Sequence, residues 1–236
     1  MIKLTILLLT FFLSLPLSAK DITATAWLVA DADGEILNSA NIYEERSIAS
    51  ITKLMTVMVV LDANQDLDQY LKPYTRRELL QLSIVHSDNA ASEKLCQNYP
   101  GGRSSCISAM NQKAKFLGMI HTQFSDPTGL GMTNRSTAYD LVKLVQAAHH
   151  YPLIVDASQM SAVKIRKKKK YLVYRNTNPL VSTKEFLVSK TGYIRASGGC
   201  IVMMLDTHLG RRIVVLLNSK NTRTRIPEAY KLATLY

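Results

Sequence analysis

The chain has 236 residues, 47% of them hydrophobic, and a formal net charge of +11, which suits one domain with a real core and leaves little room for several. A balance this basic favours an acidic partner. Zinc-finger, helix-turn-helix and RNA-binding signatures are absent, which argues against nucleic acid, and neither metal-ligand spacing nor a glycine-rich phosphate loop points to a metal or other cofactor.

Met1 to Ala19 supplies one positive charge at Lys3, an apolar run from Leu4 to Leu13, and then SLPLSA, a helix break with small residues. That is the pattern of a secretory signal cut after Ala19, and the run is too short to anchor comfortably across a bilayer. Residues 20–236 are expected to form a single domain carrying +10, because only Lys3 leaves with the signal. Outside the cytoplasm its acidic partners would be anionic wall polymers or membrane head groups.

ATAWLVA and EILNSANIY alternate like strands, and the turn DADG joins them as a hairpin. From about residue 50 to 155 the period becomes helical, predicting an inserted helical lobe. SIASITKLMTVMVVLDA is its first apolar helix, and YTRRELLQLSIV opens with Thr75 and Glu78 at capping-box spacing. SCISAMNQKAKFLG ends on a glycine, and TAYDLVKLVQAAHH stops before Pro152. Cys96 and Cys106 flank QNYPGGRSS, a turn that could join two helix ends; a disulfide and two free thiols both remain open. RKKKK at Arg166 to Lys170 leads into YLVYRN, an exposed strand whose charges either meet a partner or guard a sheet edge. CIVMMLD and RRIVVLLNS form a second hairpin through THLG, with Cys200 as a core residue, and IPEAYKLATLY closes the chain as a helix. Both hairpins most economically share one antiparallel sheet with helices packed on it, an α/β (α+β) architecture.

Ser50 and Lys53 lie three positions apart at the start of the first helix, so the amine can reach the hydroxyl. The motif alone is weak, because Ser161 and Lys164 repeat it. SDN at Ser87 to Asn89 and KTG at Lys190 to Gly192 strengthen it. S-x-N also recurs at Ser39 with Asn41 and at Ser219 with Asn221, but only one choice gives S-x-x-K, S-x-N and K-T-G in order at suitable junctions.

With these motifs the chain resembles the penicilloyl-serine superfamily of D,D-peptidases and class A β-lactamases. SIASITKLMT, TRRELLQLSIVHSDNAA, NYPGG, KAKFLGM, DPTGL, STAYDL, YRNTNPLV and SKTGY look like the small D-alanyl-D-alanine endopeptidases of the penicillin-binding protein 7 type, over nearly all of residues 22 to 232. The resemblance implies a β-lactamase/transpeptidase-like fold, a five-stranded antiparallel sheet flanked by helices. It implies that Ser50 attacks a D-alanyl carbonyl, Lys53 is its base, Ser87 relays a proton and Asn89 holds Lys53 and the substrate backbone. Lys190 and Thr191 would bind the neighbouring carboxylate, with Gly192 beside them in the substrate site, the N–H groups of Ser50 and Tyr193 would form an oxyanion hole, and Arg175 would add carboxylate recognition. His86 would be a solvent-facing loop residue. Peptidoglycan stem peptides are the implied substrate, β-lactam antibiotics the covalent inhibitors, and the periplasm the location.

Two departures qualify the match. Only 34 positions separate Lys53 from Ser87, as though a hairpin edging the cleft were lost, and neither a second β-domain nor an amphipathic anchor follows, suggesting a released protein held near the wall by charge. A class A β-lactamase is disfavoured because the deacylating glutamate of E-x-x-L-N is missing. A D-alanyl-D-alanine carboxypeptidase is the main alternative, ahead of a non-catalytic wall-binding or penicillin-sensing module.

Overall fold

A computed structural model describes residues 22–167, 170–182 and 185–236. The signal segment expected at 1–19, and Lys168 and Lys169 of the basic run, lie outside the described residues.

Strands β1 (Ala26–Ala30) and β2 (Ile36–Ala40) form the first hairpin, and β8 (Gly198–Thr207) and β9 (Gly210–Ser219) the second. They join through β1 and β9 into one five-stranded antiparallel sheet of order β2-β1-β9-β8-β7, with β7 (Phe186–Ile194) at the edge. The shared sheet agrees with the sequence reading. Lys190–Gly192 precedes the hairpin of β8 and β9 and lies within β7, the edge strand.

Alternation along the strands feeds two cores. Cys200, Val202 and Met204 of β8 pack with the helices on one face, and Ile201, Met203 and Leu205 pack on the other. The second face is covered by Ala229, Leu232 and Ala233 of α7 (Arg225–Leu235). On the first face lie α1 (Thr52–Asp62), α2 (Arg76–Val85), α3 (Asn89–Gln97), α4 (Gly102–Phe116), α5 (Ala138–His149) and α6 (Pro152–Gln159). Helix α1 is buried on every side from Thr52 to Val60, as its largely apolar sequence favours, and it carries Lys53 into the interior with it.

Two small ribbons complete the fold: β3 (Arg46–Ser47) with β4 (Arg135–Ser136), and β5 (Ala162–Lys167) with β6 (Lys170–Arg175). The described ends of the basic run, Arg166 and Lys167 in β5 and Lys170 in β6, therefore belong to a ribbon separate from the main sheet. Thr75 and Glu78 make the expected reciprocal capping box of α2. The short segment before α2 is held by Arg76, a buried side chain that donates to the carbonyl of Asp66 and to Gln69 Oε1. Cys96 at the end of α3 and Cys106 in α4 are disulfide-bonded, with Cα atoms 5.3 Å apart, which settles the question the sequence left open. Cys200 is a free, buried thiol. No helix among the described residues is long and apolar enough to cross a membrane.

Candidate active site

Ser50 occupies a 3-10 turn, Ala49–Ile51, that leads into α1, rather than the α-helix itself. Ala49 before it has φ +47°, an uncommon conformation for a residue with a Cβ. Two side chains secure the turn: Thr52 Oγ1 donates to Ala49 O at 2.7 Å, and Asn134 Nδ2 donates to Thr52 Oγ1 at 3.0 Å. Gly129 packs so closely that a Cβ there would lie 1.9 Å from Ala49 O. The DPTGL segment thus needs its glycine to let two backbones meet.

Lys53 lies one turn further on and is completely buried. Its Nζ is 2.8 Å from Ser50 Oγ and 2.7 Å from Asn89 Oδ1, and it also donates to the carbonyl of Thr128. A neutral amine has two N–H donors and one lone pair. Asn89 and Thr128 offer only acceptors to it, so a neutral Lys53 spends both donors there and turns its lone pair toward the Ser50 hydroxyl. Burial drives the Lys53 pKa down to about 7, against the opposing pull of Asp126 and Asp88.

The Thr128 carbonyl is held in place by Asp126. Its Oδ1 accepts from the N–H and hydroxyl of Thr128 at 2.7 and 2.6 Å and from Gly129 N–H at 2.8 Å, while Oδ2 accepts from Gly131 N–H at 3.3 Å. Burial works against the charged carboxylate, yet these bonds prevail and hold Asp126 below the usual carboxylate range.

The SDN triplet is the joint between α2 and α3. Ser87 takes φ +59° just past the end of α2, a conformation that costs about 1–3 kcal/mol outside glycine. Asp88 N–H closes back on Leu82 O at 3.1 Å, and Asp88 Oδ1 caps α3 through Ala91 N–H at 2.7 Å. Asn89 is therefore the first residue of α3, with its amide facing Lys53.

Lys190 reaches across from β7. Its Nζ donates to Ser87 Oγ and to Thr191 O, each at 2.8 Å. Burial first, then the charge of Lys53 and that of Arg225, push Lys190 well below the ordinary lysine range. Thr191 Oγ1 donates to Thr177 Oγ1 at 2.6 Å, and Thr177 N–H donates to Val85 O at 3.1 Å, so Thr177 ties the KTG strand to the end of α2. A Cβ on Gly192 would come 2.9 Å from Ile48 O and 3.0 Å from Ser50 N. Arg225, buried at the start of α7, donates to Gly192 O at 2.6 Å from behind the strand.

The structure thus brings Ser50, Lys53, Ser87, Asn89, Lys190, Thr191 and Gly192 together around one cleft, with Tyr193 half exposed on the same strand. Arg175 is exposed at the end of β6 and contributes its carbonyl, 3.1 Å from His86 Nδ1. His86 is exposed, but its ring also meets the Tyr174 ring edge-on at 5.3 Å. Ser161 and Lys164 flank the start of β5, where exposed Lys164 alternates with buried Val163 and Ile165. Thr128, Asp126, Thr177 and Arg225 were not read from the sequence as site residues; DPTGL and YRNTNPLV were visible as motifs, but Arg225 had no comparable signal. No cluster of histidine, cysteine or acidic residues suited to a metal occurs among the described residues.

A serine and a buried lysine at hydrogen-bond distance, with a second lysine arriving from the edge of a five-stranded antiparallel sheet, define the class of serine D,D-peptidases. The chain belongs to the D-alanyl-D-alanine carboxypeptidase family, whose model matches residues 15–72 and 66–221. Among its relatives, a D-alanyl-D-alanine endopeptidase of Pseudomonas aeruginosa is 35% identical, covering 92% of this chain and 78% of the relative. One of Escherichia coli is 37% identical over 80% of this chain and 69% of the relative. A cefotaxime-bound penicillin-binding protein of Listeria monocytogenes superposes with a TM-score of 0.80 at 25% identity, covering 89% of this chain and 96% of that one. The resemblance read from the motifs and the fold it implied both hold.

Proposed function

We propose that the protein is a periplasmic serine endopeptidase that opens D-alanyl cross-links between peptidoglycan stems through an acyl-enzyme on Ser50. The observation that carries this is the Lys53 cage: an amine with a pKa of about 7, 2.8 Å from Ser50 Oγ, both of whose donors are already engaged. An ordinary exposed lysine is neutral in only about one molecule in a few thousand at pH 7. Here the neutral form is abundant.

Ser50 Oγ attacks the D-alanyl carbonyl carbon as its proton passes to Lys53 Nζ. The N–H groups of Ser50 and Tyr193 receive the oxyanion, and Gly192 is the small residue that keeps the space before Ser50 N open. Collapse breaks the C–N bond, and the leaving amine takes a proton by way of Ser87 Oγ. Water then attacks the ester, returning the proton to Ser50. Lys190 and Thr191 bind the carboxylate beside the scissile nitrogen. That carboxylate also favours the protonated form of Lys190, whose charge in turn favours a neutral Lys53. Asn89 and Thr128 also border a groove of 590 Å³ between α3 and the 125–133 loop, room for the acyl-side peptide.

Relatives named endopeptidases at 35% and 37% identity support the endopeptidase reading over that of the relatives named carboxypeptidases, at 26% and 30%. The charge of about +10 left once Lys3 departs with the signal supports association with an anionic wall or membrane surface. Incubation with cross-linked muropeptide dimers and with uncross-linked pentapeptides tests the assignment. Conversion of dimers to monomers with little D-alanine released is expected; trimming of pentapeptides with intact dimers would make it a carboxypeptidase.

A further inference from the structure

The β5–β6 ribbon packs only one of its faces. Val163 and Ile165 are buried in the main core, and Tyr174 on the same face bonds Tyr74 hydroxyl to hydroxyl at 2.8 Å. The outer face carries the alternate residues in cross-strand register: Lys164 opposite Val173, and Arg166 opposite Tyr171. Tyr171 is 65% and Val173 53% exposed. No ion pair joins Lys164 or Arg166 to an acid among the described residues. Charges that merely guarded an edge would account for the lysine and arginine. They would not account for an open tyrosine and valine paired opposite them across the ribbon.

Strand β6 runs from this face straight into the cleft. Arg175 is followed by Asn176, which bonds Met160 O and Asn178 N, and by Thr177, which meets Thr191. Arg175 lies four positions along β6 from Tyr171, about 13 Å at strand spacing. The outer face is therefore a fixed extension of the cleft rim, placed beyond the reach of the few groups around a scissile bond.

We propose that the outer face of the β5–β6 ribbon, with Lys164, Arg166 and Tyr171, is an exosite for the peptidoglycan polymer: the cations take stem carboxylates and the tyrosine ring stacks on a sugar. This rests on the peptidoglycan assignment above. The polymer is favoured over an anionic bilayer because the ribbon is continuous with the cleft, and a membrane lying on it would crowd the entrance against a cross-linked network.

Sedimentation with purified sacculi decides this, using Ser50→Ala protein so that binding is read without turnover. Adding Lys164→Gln, Arg166→Gln and Tyr171→Ala is expected to weaken binding about tenfold, from three exposed contacts of modest strength. In the active protein the same triple change should raise KM on sacculi by a similar factor, while kcat on soluble muropeptide dimers and the rate of penicillin acylation stay unchanged. Unchanged binding to sacculi would overturn the proposal. So would loss of binding to phosphatidylglycerol vesicles with binding to sacculi intact, which would assign the face to lipid. If the active protein cleaved neither dimers nor sacculi, the peptidase assignment would fall, and the sedimentation result would still decide the exosite.

Discussion

Lys53 Nζ lies 2.8 Å from Ser50 Oγ while its other neighbours, Asn89 Oδ1 and Thr128 O, can only accept hydrogen bonds. A guanidinium keeps the positive charge at that position but gives up no proton near neutrality. Lys53→Arg is therefore expected to slow penicillin acylation by about a hundredfold to ten-thousandfold, the usual contribution of a general base. A melting curve confirms that the variant is folded, and near-normal acylation would leave Ser50 without its base.

The same lysine sets the pH dependence. With a pKa of about 7, Lys53 is protonated and inactive as a base below that value. Acylation should fall about tenfold per unit on the acid side of pH 7 and level off above it, the limb belonging jointly to Lys53 and Lys190 because their charges interact. Stability moves in the same sense. Between pH 7 and the ordinary lysine value of 10.5 the unfolded chain holds a proton that folded Lys53 has lost, so unfolding free energy rises with pH across that window. Stopped-flow acylation and chemical denaturation at several pH values measure the two.

Asp126 acts at one remove, through the loop it holds. Asp126→Ala strips the acceptor from three N–H groups and one hydroxyl and frees the Thr128 carbonyl from Lys53. A loss of about 2–3 kcal/mol in stability is expected for buried donors left unpaired, together with slower acylation. Asp126→Asn keeps an acceptor oxygen and should recover most of the stability, which a denaturant series can resolve.

At Gly192 the limit is space. A methyl group there would crowd Ser50 N and Ile48 O, so Gly192→Ala should leave the sheet folded and cut acylation by about a hundredfold, the loss of one oxyanion donor. Full activity in that variant would remove Ser50 N–H from the mechanism.

These expectations rest on parts of differing legibility. Ser50, Lys53, Ser87, Asn89 and Lys190 could be read because each motif is local: a turn entering a helix, a helix-to-helix joint and an edge strand place their residues by short-range rules. The Thr128 carbonyl could not, since a backbone oxygen carries no residue-type signal. Arg225 lies far along the chain from Gly192 and meets it only because α7 folds back over the sheet. The Cys96–Cys106 pairing stayed open because spacing alone cannot say whether two helix ends meet. Alternation made YLVYRN readable as a strand, but its partner β5 was missed where buried Val163 and Ile165 are interleaved with cations.

The disulfide gives a prediction separate from the chemistry. It closes a loop of 10 residues in sequence separation, and replacing both cysteines with serine should lower stability by about 2–3 kcal/mol. Denaturant midpoints with and without a reductant measure this, and reduced wild-type protein should match the double variant.

Ser50 as the acylated nucleophile is the claim on which the mechanism turns, and intact-protein mass spectrometry after exposure to penicillin tests it most directly. A single covalent adduct is predicted in the wild-type protein and in Ser161→Ala, and none in Ser50→Ala. An adduct that persisted in folded Ser50→Ala protein would contradict the account.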